Sequence, residues 1–81
     1  MYYVYILYSD KIDRYYVGST NNIKDRLRRH NTGQGNYTKK GMPWELISSY
    51  EFSNRSEAVS FEKKIKKRGI KRFLLDSNSG V

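Results

Sequence analysis

Apolar and aromatic side chains crowd the start of the chain, where Tyr2–Tyr8 reads YYVYILY. β-branched and aromatic residues at this density suit a pleated, half-buried surface, so the segment predicts a strand. The polar run Ser9–Asp13 reads as a turn and Arg14–Gly18 (RYYVG) as a second strand. So short a connection makes the pair an antiparallel hairpin. The period then changes. Asn21 or Asn22 suits a helix N-cap, and Ile23, Leu27 and His30 follow at i, i+4 and i+7, one face of a helix that ends near Asn31–Gly33. Thr32–Pro43 holds three glycines and the chain's one proline. It predicts a loop of about 12 residues, long enough to carry function.

Trp44–Phe52 (WELISSYEF) alternates imperfectly and predicts a third strand. Ser53 or Asn54 caps a second helix, whose Ala58, Phe61 and Ile65 form an apolar stripe. That helix stops at Arg68-Gly69, a basic last turn followed by the glycine that commonly ends helices. Ile70–Leu75 (IKRFLL) predicts a short third helix, and residues 77–81 a frayed tail. The expected fold is therefore α+β: a small three-stranded antiparallel sheet flanked by helices, in the order β-β-α-β-α(-α). It forms a single domain over residues 1–76.

Composition narrows the function. At 81 residues the chain makes one small domain with a thin core. It contains no Cys, which excludes disulfides, thiolate metal sites and a thiol nucleophile; one His cannot build a multi-His metal site. Tyr2–Tyr8 is too short to span a bilayer and lacks the flanks of a signal peptide, so a cytoplasmic location is expected. The net charge is +8, distributed as 0 over residues 1–23, +5 over 24–40, −3 over 41–62 and +6 over 63–81. Two basic blocks on a small domain suggest a polyanionic partner, above all nucleic acid. A membrane surface is not expected, because the basic helix has too narrow an apolar face.

Several polar residues stand where plain packing would place something else. Glu62 lies at the edge of the stripe made by Ala58, Phe61 and Ile65. A half-buried carboxylate needs a cation, either a metal or one of the neighbouring lysines. Arg26 and His30 are one helical turn apart and can address one target. Tyr5 and Tyr16 sit on the two arms of the hairpin; either can be a packing residue or a chemical one. Gly18 marks a close approach, for which a phosphate backbone is one candidate.

Taken in order, these residues resemble the GIY-YIG nuclease superfamily. Tyr3-Val4-Tyr5 stands in the place of the first triplet and Tyr16-Val17-Gly18 in that of the second, with Tyr16 eleven residues after Tyr5. Arg26 follows Tyr16 by ten, His30 follows Arg26 by four, and Glu57-Ala58-x-x-x-Glu62 is similar to the segment carrying the family's metal-binding glutamate. The resemblance spans residues 2–68 and looks closest to the small stand-alone bacterial members. The first triplet reads YVY rather than GIY, and Phe73–Leu75 occupies the place where larger members carry an active-site Asn.

The resemblance implies metal-dependent hydrolysis of a phosphodiester, in DNA, and the lack of a dedicated base-reading element implies low sequence specificity. Tyr5, Tyr16, Arg26, His30 and Glu62 would be catalytic, and Glu62 would hold one Mg²⁺ or Mn²⁺ largely through water. Arg26 would bind a phosphate oxygen. Tyr16 would take the proton of the attacking water, helped by Tyr5 or His30; which tyrosine is the base stays open at this point. Gly18, Ser19, Arg28, Arg29, Lys39, Lys40, Lys63, Lys66 and Lys67 are expected to track substrate phosphates. The alternative is a nucleic-acid-binding module without strong cleavage, and more remotely a protein-binding adaptor. A protein partner or a homodimer is compatible with so small a surface, but no residue identifies either.

Overall fold

The computed structural model describes residues 1–34 and 38–79, with residues 77–79 as helix backbone alone. Strand β1 (Tyr2–Ser9) and strand β2 (Arg14–Thr20) form the expected hairpin. Its turn closes with Asp13 at φ 51°, a left-handed conformation that Asp tolerates, and the Tyr8 hydroxyl donates to the Asp13 carboxylate at 2.7 Å. Helix α1 (Ile23–Asn31) starts from Asn22, whose side chain accepts the Asp25 N–H. A single 3₁₀ turn (Thr38–Gly41) lies inside the glycine-rich loop, of which residues 35–37 fall outside the described residues. Strand β3 (Glu45–Phe52), helix α2 (Arg55–Arg68, capped by Asn54) and helix α3 (Ile70–Ser79) complete the chain.

The sheet order is β2-β1-β3, all antiparallel, so the most apolar strand is central. Its alternation divides the core between the two sheet faces. Val4 and Ile6 meet Val17, Ala58 and Ile65 on the face covered by α2, and α3 adds Ile70, Phe73 and Leu74. Tyr5 and Leu7 meet Trp44 on the opposite face, where α1 contributes Ile23 and Leu27. The sheet is thus sandwiched, and each face has its own cluster.

Two features of the fold go beyond the sequence reading for physical reasons. The imperfect alternation of β3 reflects a bulge: Ile6 pairs with Ser48 but Leu7 with Leu46, which leaves Ile47 as the extra, exposed residue. Helix α3 continues past Leu75 into the segment expected to fray, because Asp76 forms an ion pair with Arg68 of α2 and Phe73 and Leu74 anchor the preceding turn. Residues 80 and 81 of the expected tail lie outside the described residues. Gly69, at φ 98°, supplies the left-handed residue that separates α2 from α3. Among the described residues, no helix is long and apolar enough to cross a membrane.

Candidate active site

The site grows out of the hairpin. Tyr5 lies on the central strand, only 1% exposed, directly across from Gly18 on β2. A Cβ at position 18 would stand 2.6 Å from the Tyr5 hydroxyl and 2.8 Å from Cζ. The close approach at Gly18, for which a phosphate backbone is one candidate from sequence, is made by the ring of Tyr5. That glycine lets a tyrosine lie flat across the neighbouring strand with its hydroxyl toward α1.

On α1, one turn apart, Arg26 and His30 face this hydroxyl. The Tyr5 hydroxyl is 3.1 Å from His30 Nε2, and His30 Nδ1 is 2.9 Å from the Thr38 hydroxyl. The Thr38 carbonyl accepts the indole N–H of Trp44 at 2.7 Å. Trp44 is fixed in turn by Asn31, whose side chain accepts its backbone N–H at 2.5 Å and donates to its carbonyl at 3.0 Å. A buried chain of contacts thus runs from Tyr5 through His30 and Thr38 to Trp44. Tyr16 joins from β2: its ring centroid lies 4.9 Å from His30, 6.3 Å from Tyr5 and 6.2 Å from Trp44.

The electrostatics distinguish the members. Burial pushes the Tyr5 hydroxyl well above the usual tyrosine range, and the neighbouring Tyr16 adds to the effect; Arg26 opposes it, and the charge of Glu62 raises it further. Burial, followed by the Arg26 charge, holds the His30 imidazole below its ordinary value. Both groups are therefore neutral at pH 7. A neutral imidazole carries one ring proton, so either Nε2 accepts from Tyr5 while Nδ1 donates to Thr38, or the two roles are exchanged.

Glu62 approaches from α2. Its side chain is 16% exposed, and one oxygen pairs with Lys66 Nζ at 2.8 Å. The Lys66 ammonium is held above its usual range mainly by its hydrogen bond to Glu62, with the charges of Glu62 and Tyr16 adding to it. The lysine partner anticipated for Glu62 is present, and the same carboxylate also reaches Tyr5 by charge. As a metal-binding set the site is sparse: among the described residues, no three His, Asp or Glu side chains converge. One half-buried carboxylate fits a hard divalent ion that keeps most of its waters, and does not fit a two-metal centre.

The expected phosphate contacts separate into groups. Arg28 and Arg29 are both ion-paired with Asp25, at 2.8 and 3.0 Å. Lys39 and Lys40 are exposed on the 3₁₀ turn beside Thr38, and Lys63 and Lys67 on α2. Ser19 lines a polar cleft of about 230 Å³ together with Tyr2, Thr20, Asn21, Arg26 and Arg55. Sequence reasoning passed over Arg55, Thr38 and Trp44. Arg55 carried one signal, a cation in the first turn of a helix, where the dipole disfavours it. Thr38 carried none, because a loop sequence does not disclose which hydroxyl folds back.

The comparisons agree with this architecture. The family model of the GIY-YIG catalytic domain matches residues 1–72. A UPF0213 protein of Limosilactobacillus reuteri is 43% identical over 81 residues, covering 93% of this chain and 83% of that protein. The UPF0213 protein CPE1444 of Clostridium perfringens is 43% identical over 82 residues, covering 98% and 87%. The solution NMR structure of the UPF0213 protein BH0048 from Bacillus halodurans superposes with a TM-score of 0.57 at 31% identity, covering 99% of this chain and 87% of that one. Tyr5, Tyr16, Arg26, His30 and Glu62 all lie inside the matched span, and the chain belongs to the GIY-YIG catalytic-domain family.

Proposed function

We propose that the domain is a divalent-metal-dependent endonuclease that hydrolyses phosphodiester bonds, in DNA and with low sequence specificity. The observation that carries this reading is convergence: Tyr16, Arg26, His30 and Glu62, from three other elements, all gather on the buried Tyr5 hydroxyl or its ring. A binding surface needs cations; it does not need a buried Tyr–His–Thr chain.

The roles follow from the environments. Arg26 lines the polar cleft and faces the tyrosines, so it holds a non-bridging phosphate oxygen of the scissile group, with Arg55 and Ser19 on the flanking phosphate. Tyr5 is buried, neutral and in hydrogen-bonding contact with His30, so we assign it a positioning role rather than that of the base. Tyr16 is then the group that would take the proton of the attacking water, a step in which its phenolate becomes the phenol; its ring is braced by His30 and Trp44. Glu62 would hold one Mg²⁺ or Mn²⁺, which when bound supplies positive charge for the phosphate and the leaving oxygen. Lys39, Lys40, Lys63 and Lys67 track the backbone without reading bases.

The second reading is a nucleic-acid-binding module, and the Lys66–Glu62 ion pair favours it, since the carboxylate already has a cation. The two separate in a cleavage assay on labelled single-stranded, duplex, flapped and branched DNA and one RNA, with Mg²⁺, with Mn²⁺ and with EDTA. Cutting that needs the metal and disappears in Glu62→Ala, while the variant still binds DNA, is the expected result. Binding without cutting in either metal would overturn the nuclease in favour of the module.

A further inference from the structure

Helices α2 and α3 meet in a cleft on the flank of the domain away from Glu62. It is an open groove of about 540 Å³. Phe61 and Phe73 form its floor, edge to face with centroids 5.7 Å apart. Lys64, Lys67, Arg68 and Arg72 form its walls. Arg68 is ion-paired with Asp76; Lys64, Lys67 and Arg72 are exposed. The two rings are half-buried: both pack against the core and on Tyr50, and Phe61 also on Phe52.

We infer that this cleft is a second nucleic-acid site, which takes an unpaired nucleotide with its base against Phe61 and Phe73 and its phosphates on Lys64, Lys67 and Arg72. Charge complementarity selects a polyanion, and the aromatic floor selects one with a flat face to stack. Bases inside a duplex do not offer that face; unpaired ones do. The helix connects this cleft to the proposed catalytic site. At about 100° per residue, the solvent side of α2 presents in turn Glu62, Lys66, Lys63, Lys67, Lys64 and Arg68, while Ala58 and Ile65 hold the opposite side to the sheet. A cationic band of Lys63, Lys67 and Lys64 therefore runs round the helix between the Glu62–Lys66 and Arg68–Asp76 ion pairs, within a width of roughly 10–12 Å, which a strand crosses in a few nucleotides. As far as the band serves cleavage, the inference rests on the nuclease reading, and it names the substrate: a duplex with a single-stranded segment close to the cut.

The test is equilibrium binding by fluorescence anisotropy in EDTA, where no cleavage occurs. The probes are a blunt duplex and the same duplex with a short single-stranded overhang, titrated from ~50 to ~200 mM salt against wild type, Lys64→Gln/Arg72→Gln and Phe73→Leu. The overhang should improve affinity about tenfold. The double variant should lose that advantage and reduce the salt slope for the overhang probe by about 1.4, at ~0.7 per single-strand phosphate contact. Its binding to the blunt duplex should stay within about twofold. Phe73→Leu keeps most of the packing volume and should lose most of the stacking gain without changing the salt slope. Equal affinity for the two probes, wild-type behaviour of the double variant, or equal competition by poly-glutamate would overturn the inference. A protein that cuts but shows no overhang preference refutes this site alone, and one that prefers overhangs but never cuts refutes the nuclease alone.

Discussion

Gly18→Ala tests how the fold builds the site. Glycine in a strand interior is generally unfavourable, and replacing it by alanine where the backbone allows stabilises a protein by about 0.4–1 kcal/mol through the unfolded state. The backbone at Gly18 lies outside the left-handed region, so the general expectation is a gain. The local contacts predict the reverse. The new Cβ would stand 2.6, 2.8 and 3.2 Å from Oη, Cζ and Cε1 of Tyr5, a ring 1% exposed that cannot swing aside. Overpacking of this kind costs about 1–3 kcal/mol, and displacing the hydroxyl from His30 loses a buried hydrogen bond worth about 1 kcal/mol. After the alanine gain is offset, a net loss of about 1–3.5 kcal/mol remains. For a domain of this size that lowers the Tm by roughly 5–25 °C.

Thermal unfolding followed by circular dichroism measures the loss, and a double-mutant cycle assigns it. Tyr5→Leu removes the three atoms that collide, so in its presence Gly18→Ala should cost little or stabilise. The coupling should exceed about 1 kcal/mol, where independent sites add to within about 0.3–0.5 kcal/mol. A Gly18→Ala protein that melts at or above wild type, or an additive cycle, would falsify the account of Gly18 as the seat of the Tyr5 ring.

The other predictions concern single groups. Because His30 is depressed in the fold, the unfolded chain binds the extra proton first; the stability it supports is present above about pH 6.5 and declines as pH falls through the folded value, so melts from pH 7 to 5 should show this slope and His30→Gln should flatten it. Tyr5 has the opposite sign: its raised value makes stability full below about pH 10 and falling above it, a loss that Tyr5→Phe should remove in alkaline melts. Asn31→Ala removes both bonds to the Trp44 backbone and should cost about 2 kcal/mol in urea unfolding, with the slope of the transition unchanged; a loss under about 0.5 kcal/mol would show that Asn31 does not seat Trp44. Tyr16→Phe should lower cleavage at least 100-fold, while Tyr5→Phe should lower it less and show its effect in the Tm; the reverse ranking would make Tyr5 the base.

The sequence made the elements legible and concealed how they meet. Period, caps and the Gly69 stop were sufficient for five of the elements, because Asn22, Asn54 and Gly69 act within a few residues of where they stand. The β3 bulge and the second half of α3 were not legible. Each depends on a partner distant in sequence, Ile6 and Leu7 for the bulge and Arg68 for the helix. The candidate site divides the same way. Tyr5, Tyr16, Arg26, His30 and Glu62 were readable as a spaced series, whereas Thr38 and Arg55 became visible only when the loop and the start of α2 were placed in space. Gly18 was legible as a close approach, but the neighbour it makes room for, the Tyr5 ring, was not.

That neighbour explains why stability and the proposed chemistry are hard to separate in this protein. Tyr5 belongs to the core cluster with Leu7 and Trp44, and it is also the hydroxyl on which His30, Arg26 and Glu62 act. A domain this small has too little interior to keep a core apart from a site. The same Trp44 that fills the α1 face holds Thr38, and Thr38 fixes the imidazole. Loss of activity in a Tyr5, Trp44 or Thr38 variant therefore says nothing about chemistry until its melting curve is known. Glu62, Lys66 and Arg55 lie on α2, outside both core clusters, and are the positions where a change in cleavage can be read directly as chemistry.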